Sequence, residues 1–147
     1  MILDHNTTAT VSGYSTAQTQ VAIDTANWDS SLNARNIKAD EIAGITGHPT
    51  FKHATAKAED WFYLDSNNQT QTATSQGASN YAWLYDYTNS CNYVGCNIVD
   101  SSTYGYWTQD MVEGSSSSAW FVRQNGAFVN SSNYAHNGIR PVITIQK

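Results

Sequence analysis

A chain of 147 residues with 40% hydrophobic content is long enough to bury one core and is expected to fold as one domain. Charged residues make up only 13%, against roughly a quarter in ordinary globular chains. The formal net charge of −5 leaves 7 scattered basic side chains and no basic patch to hold a phosphate backbone, which excludes nucleic acid as a partner.

In chain order, Ile2-Leu3 and Thr10-Val11 flank a polar stretch and predict one bent strand or a hairpin. Ser15 followed by Gln18 has the spacing of a capping box. Val21, Ile23, Ala26, Trp28 and Leu32 then fall partly on one helical face, predicting a helix over 16–32. A second helix fits 38–47, with Ile42 and Ile45 sharing a face and Gly47 and Pro49 supplying the stop. The segment 50–59 shows no period and predicts an exposed helix or a loop. Trp61-Phe62-Tyr63-Leu64 reads as a buried strand or anchoring turn, 66–79 as a polar surface loop, and 81–85 as a return to the core.

The last forty residues predict three strands. Trp107 and Trp120 sit in period-2 runs, and Asn125-Gly126 is a hairpin-turn dipeptide because both residues tolerate positive φ. Gly138 then opens a closing strand through Ile139, Val142, Ile143 and Ile145.

The ordered set Tyr106-Trp107-Thr108, Ala119-Trp120-Phe121-Val122, Asn125-Gly126 and Gly138-Ile139-Arg140-Pro141-Val142 resembles the C-terminal half of C-type-lectin-like domains. Within these it is similar to the bacterial and phage branch that holds formylglycine-generating-enzyme-like modules and the variable proteins of diversity-generating retroelements. The resemblance covers about the last third of the chain, and more loosely the two helices before it. It implies an α+β fold with two helices packed on a small, mostly antiparallel twisted sheet with long loops. It also implies a candidate variable region over 107–140, whose ligand-facing side chains would be Gln109, Asp110, Met111, Val112, Glu113, Phe121, Arg123, Gln124, Phe128, Asn130, Tyr134 and His136. Exposure of Phe121 follows from strand alternation if Trp120 points inward, and Phe121 and Phe128 become core if it does not hold. The Ser and Asn runs at 115–118 and 130–133 are what mutagenesis of adenine-rich codons would leave, and also what low-complexity drift would leave.

Cys91 and Cys96 are the only cysteines. In an exported domain they read as a local disulfide that pins a loop, contributing on the order of 2–3 kcal/mol on a chain-entropy account. The resemblance supplies an alternative, since formylglycine-generating enzymes use a Cys-x4-Cys pair with copper to oxidise a substrate cysteine. In that family the pair lies shortly before the closing Gly-Phe-Arg segment, whereas here some forty residues intervene. His5, His48, His53 and His136 show no metal-ligand spacing, and Trp107-Thr108-Gln109-Asp110 stands where sugar-binding C-type lectins carry Trp-Asn-Asp, so no metal or other cofactor is expected. No nucleophile elbow, phosphate loop or dinucleotide fingerprint is present, and the carboxylates read as solvated.

No apolar run approaches the length of a membrane span, and the start has neither a basic nor a hydrophobic leader region. The chain is therefore expected to be a domain excised from a longer exported protein, without direct membrane insertion and monomeric on its own. Its polar share is Ser, Thr, Asn and Gln beside 9 Tyr and 5 Trp, the palette of extracellular recognition surfaces. Together these features predict a non-enzymatic module at a cell or virion surface that binds a protein or glycan ligand. The alternatives are the copper-dependent oxidase and a structural decoration domain of a surface or pilus-like protein.

Overall fold

A computed structural model describes residues 1–2, 6–7, 11–65, 80–85, 105–132 and 137–145. The described residues form an α+β arrangement. Two helices, α1 (Tyr14–Asp24) and α2 (Ala39–Ile45), accompany strands β1 (Arg35–Asn36), β2 (Phe62–Tyr63), β3 (Gly105–Met111), β4 (Ala119–Arg123), β5 (Ala127–Ser131), β6 (Asn137–Gly138) and β7 (Pro141–Val142). The main sheet runs β2-β5-β4-β3-β6, antiparallel except for the β3–β6 pair, and β1 pairs with β7 in a separate ribbon.

The first helix is shorter than its sequence pattern predicts. It starts at Tyr14 after Gly13, which has φ +151 and supplies no side-chain cap, so Ser15 and Gln18 form no capping box; Gln18 donates instead to the Thr108 carbonyl at 3.3 Å. It stops at Asp24, because the Thr25 hydroxyl bonds back to the Val21 carbonyl and Asp29 caps a separate 3-10 turn at Ser30–Leu32 through the Ser31 N–H. α2 sits where expected, with the Glu41 carboxylate accepting from the Lys38 N–H and Gly47 at φ +78 beyond its end. Ile42 is buried while Ile45 faces outward, so the two do not share one covered face. Segment 50–60 is neither an exposed helix nor a free loop. Backbone bonds from Phe51 to His48, Ala56 to Lys52 and Asp60 to Lys57 fold it into successive turns that bury Phe51 and Ala56.

Alternation along β4 drives both faces of the sheet inward. Trp120 and Val122 pack with Tyr106, Phe128, Phe51, Ile37, Ile42, Leu64 and Leu84 in one core. Ala119 and Phe121 point the other way and join Trp107, Ile139, Val11 and α1 residues Ala17 and Val21 in a second. In the first, Trp120 stacks on Phe128 at 5.3 Å and meets Phe51 edge-on at 5.0 Å. Each such ring contributes roughly 1.5–3 kcal/mol by leaving water, before the added ring–ring geometry. The Asn125-Gly126 turn forms where the sequence predicts, but of the two residues only Gly126 takes positive φ, at +77; its N–H bonds the Arg123 carbonyl, and the Asn125 side-chain oxygen accepts from the Ala127 N–H. Strands β3 and β4 approach so closely that a Cβ at residue 105 would sit 1.8 Å from the Val122 carbonyl oxygen, which admits only glycine there.

The predicted single closing strand is split. β6 lies on the main sheet and β7 on the ribbon, and Pro141 has no N–H with which to continue one ladder. Between them Ile139 enters the second core. Arg140, fully buried, donates to the Leu84 carbonyl at 3.0 Å, the Trp83 carbonyl at 3.3 Å and Asn6 Oδ1 at 3.3 Å, with its guanidinium 4.6 Å from the Tyr106 ring centre. Leu3 and Thr10 of the predicted N-terminal strand or hairpin lie outside the described residues. The described N-terminal residues meet the closing stretch in antiparallel order, with Ile2 bridging Val142, the Thr7 N–H on the Ile139 carbonyl at 2.7 Å and the Val11 N–H on the Asn137 carbonyl at 3.0 Å.

Candidate ligand-binding groove

α1 and the N-terminal segment cover the β3 side of the sheet's outer face and stop short of its β2 side. In the register Phe62↔Phe128 and Tyr63↔Ala127, Tyr63 falls on the same face as Ala127, Val129 and Phe121, while Phe62 turns into the first core. The result is an open groove of about 450 Å³ floored by Phe121, Ala127 and Val129 and walled by Trp61, Tyr63, Arg123, Asn125 and Ser131, with Asn130 and Ala58 at one rim. Trp61 is half exposed, and its ring meets Tyr63 edge to face at 5.7 Å, making an aromatic corner. Asn130 is tied down by donating to the Ala58 carbonyl at 2.9 Å, which leaves its own carbonyl as an acceptor. Among the described residues Arg123 is the only charged side chain lining the groove, and its guanidinium makes no ion pair there.

The ten described residues of the expected ligand-facing set are not brought together on one face. Arg123 and Asn130 reach the groove, and Phe121 reaches it only as floor, 3% exposed. The expectation that Phe121 projects from the sheet is corrected because the face opposite Trp120 is itself covered, and Phe121 packs 5.4 Å from Trp107. Phe128 and Val112 are likewise core residues and cannot contact a ligand directly. The backbone of Gln109 and the carboxylate of Asp110 are engaged by the frame, and the Gln109 side-chain oxygen is buried with no hydrogen-bond partner among the described residues. The Gln109 N–H bonds the Ile37 carbonyl and its carbonyl accepts the Tyr14 hydroxyl, while Asp110 accepts the Ala39 N–H at 2.6 Å. Met111 is half-buried opposite Ala119, Glu113 is exposed with its N–H on the Ala56 carbonyl, and Gln124 is half-buried in the hairpin turn. Tyr134, His136, Cys91 and Cys96 lie outside the described residues. Trp61, Tyr63, Asn125 and Ser131 line the groove without having been expected there from the sequence.

Titratable side chains gather elsewhere, around the start of α2. Burial alone would raise the Asp40 carboxyl, but hydrogen bonds from the His53 N–H at 2.8 Å and ring at 3.0 Å hold it below its ordinary value. Glu41 is lowered in the same way, against burial, by the two-pronged Arg35 contact at 2.6 and 2.9 Å. His53 also approaches Asp110 at 3.7 Å, and this trio fastens α2 to β3 and the following turns. Among the described residues no group of His, Cys, Asp or Glu converges to hold a metal ion. His48, stacked 3.9 Å from Phe62, is held below its ordinary value by burial. A larger cavity of about 700 Å³ lies beside the β1–β7 ribbon between Ile2, Ile45, Trp83 and Ile143, but its charged residues, Arg35 and Glu41, neutralise each other.

Residues 34–147 match the family described as a domain of unknown function, DUF6273, and the chain belongs to that family. No curated protein and no solved structure matches the chain.

Proposed function

We propose that this DUF6273 member is a recognition module of an exported protein, built on a C-type-lectin-like frame, that binds a protein or glycan ligand at a cell or virion surface. The observation that carries the reading is the open groove, in which a half-exposed Trp61, Tyr63 and an unpaired Arg123 stand on a floor held rigid by two cores. Trp, Tyr and Arg are the residues that most often dominate binding energy, and here they converge on one concave patch. Binding is favoured over catalysis because, among the described residues, Arg123, which stays charged, is the groove's only ionisable group apart from the Tyr63 phenol, whereas general acid–base chemistry needs a group that titrates near working pH. Two helices ahead of a strand-rich half is the element order that supports the C-type-lectin-like frame. Retroelement diversification of 107–140 belongs to the same proposal, and it requires a reverse transcriptase and a near-copy of these codons beside the gene.

The test is a fluorescent tetramer of the domain applied to candidate cell surfaces, compared with the variant Trp61→Ala/Tyr63→Ala/Arg123→Ala. The variant should keep a cooperative unfolding transition and lose at least tenfold in binding. Undiminished binding by the folded variant overturns the groove as the site.

A further inference from the structure

We infer that the groove takes a carboxylate-bearing saccharide. The inference rests on the reading of the groove as a recognition site and narrows it to one ligand chemistry. The groove lies on the outer face of the sheet, beside its edge strand β2. Backbone N–H and C=O groups of strands point within the sheet plane, toward neighbouring strands, so an extended peptide lying across this floor gains no ladder bonds from β4, which is paired on both sides. An occupant must be held through its own surface by side chains.

Those side chains suit a sugar. The Trp61–Tyr63 corner offers two ring surfaces at 77° to each other, one to lie against the flat C–H face of a pyranose and one against its edge. Around it stand a donor, an acceptor and a group that is both. Asn125 has its oxygen engaged by the Ala127 N–H and keeps its NH2 as donor, Asn130 has its NH2 engaged by Ala58 and keeps its carbonyl, and Ser131 carries a hydroxyl. A ring of hydroxyls, each donor and acceptor, matches that alternation. The volume of about 450 Å³ falls in the range of small-ligand sites. Arg123 adds the charge. In a chain of formal net charge −5 it is, among the described residues, a cation without an ion pair in a groove that no carboxylate lines, and its planar fork fits a carboxylate through two parallel bonds.

The experiment presents the full chain with immobilised trigalacturonate and sialyllactose, the methyl ester of each, lactose, and a Glu-rich hexapeptide. The acidic sugars should be retained, with a loss of at least tenfold on esterification, on Arg123→Gln and on Trp61→Ala, and a smaller loss on Arg123→Lys. Equal retention of an acid and its ester, or an undiminished Arg123→Gln variant, overturns the carboxylate. Retention of the hexapeptide in preference to the sugars overturns the saccharide, as does failure to retain any acidic sugar. If a neutral sugar or the peptide is bound and Trp61→Ala abolishes that binding, the groove stands as a recognition site and only its ligand class is wrong. If Trp61→Ala leaves every bound probe unaffected, the site itself is wrong. Should Arg123→Gln fail to fold, the esters still decide.

Discussion

Replacing Arg140 by Met tests whether a buried cation fastens the two cores. Met fills most of the aliphatic stem's volume and removes the fork. The Leu84 carbonyl keeps a donor, because the Tyr106 hydroxyl also bonds it at 2.6 Å, whereas the Trp83 carbonyl and Asn6 Oδ1 each lose one. A buried acceptor deprived of its donor costs about 1–3 kcal/mol. The lost contact with the Tyr106 ring adds roughly 1 kcal/mol, and relief from desolvating the guanidinium offsets part of the sum. The expected net loss is about 2–4 kcal/mol, or a fall of roughly 6–12 °C in Tm for a chain of this size. Thermal unfolding followed by circular dichroism and urea titration should agree on this loss. Arg140→Lys should recover only part of it, since one ammonium cannot reach Asn6, Trp83 and Leu84 from the fork's positions. A Met variant melting within about 2 °C of the parent would show that Arg140 is tolerated in the core and does not fasten it.

Trp120→Ala should cost roughly 3–5 kcal/mol, the range for emptying a large aromatic site in a packed core, and an unchanged urea midpoint would refute its placement between Phe51 and Phe128. Stability should fall with acid in two stages. His48 is held below its ordinary 6.5, so the unfolded chain binds its proton first and stability starts to fall as pH drops through about 6.5. Asp40 and Glu41 are also held low, so their stabilisation is present above about pH 4 and is lost as pH falls further. A Tm profile from pH 8 to 3 in which His48→Gln leaves the upper stage untouched would contradict that assignment. Cys91 and Cys96 are expected to be joined, so the intact chain should weigh two protons less than its reduced form by mass spectrometry, and an equal mass refutes the bond.

The framework was legible where side-chain type and backbone chemistry agree. Trp107 and Trp120 announce core positions, Asn125-Gly126 a hairpin and Gly47 a helix stop, and each follows from local physics. Phe121 was misjudged because alternation says only that Phe121 and Trp120 face opposite ways, and not whether the second face is wet. That depends on α1 and Val11, more than ninety residues away in sequence. Trp61 and Tyr63 were missed because an unbroken apolar run conceals its own period of two. Phe62 and Leu64 face the core, whereas Trp61 and Tyr63, whose rings carry polar atoms, face out, and that difference was the available signal. The ends of α1 and of the closing strand were set by Thr25, Asp29 and Pro141, single residues that outweigh a diffuse apolar pattern.

Residues 2, 7 and 11 meet 142, 139 and 137 in turn, and Asn6 links the Gly105 carbonyl to Arg140. Among the described residues, the backbone partners of Ile2, Thr7 and Val11 therefore do not exist until the closing stretch does. During synthesis α1 emerges more than a hundred residues before Ile139, so the second core closes only after the closing stretch has been made. Loop-closure entropy over more than a hundred residues precedes any reward from these contacts, which places the domain among slow, topology-limited folders. During that wait the apolar side of α1 and the outer face of β3 and β4 stand open to other chains, and a chaperone bound there would shield the surfaces that native docking later covers.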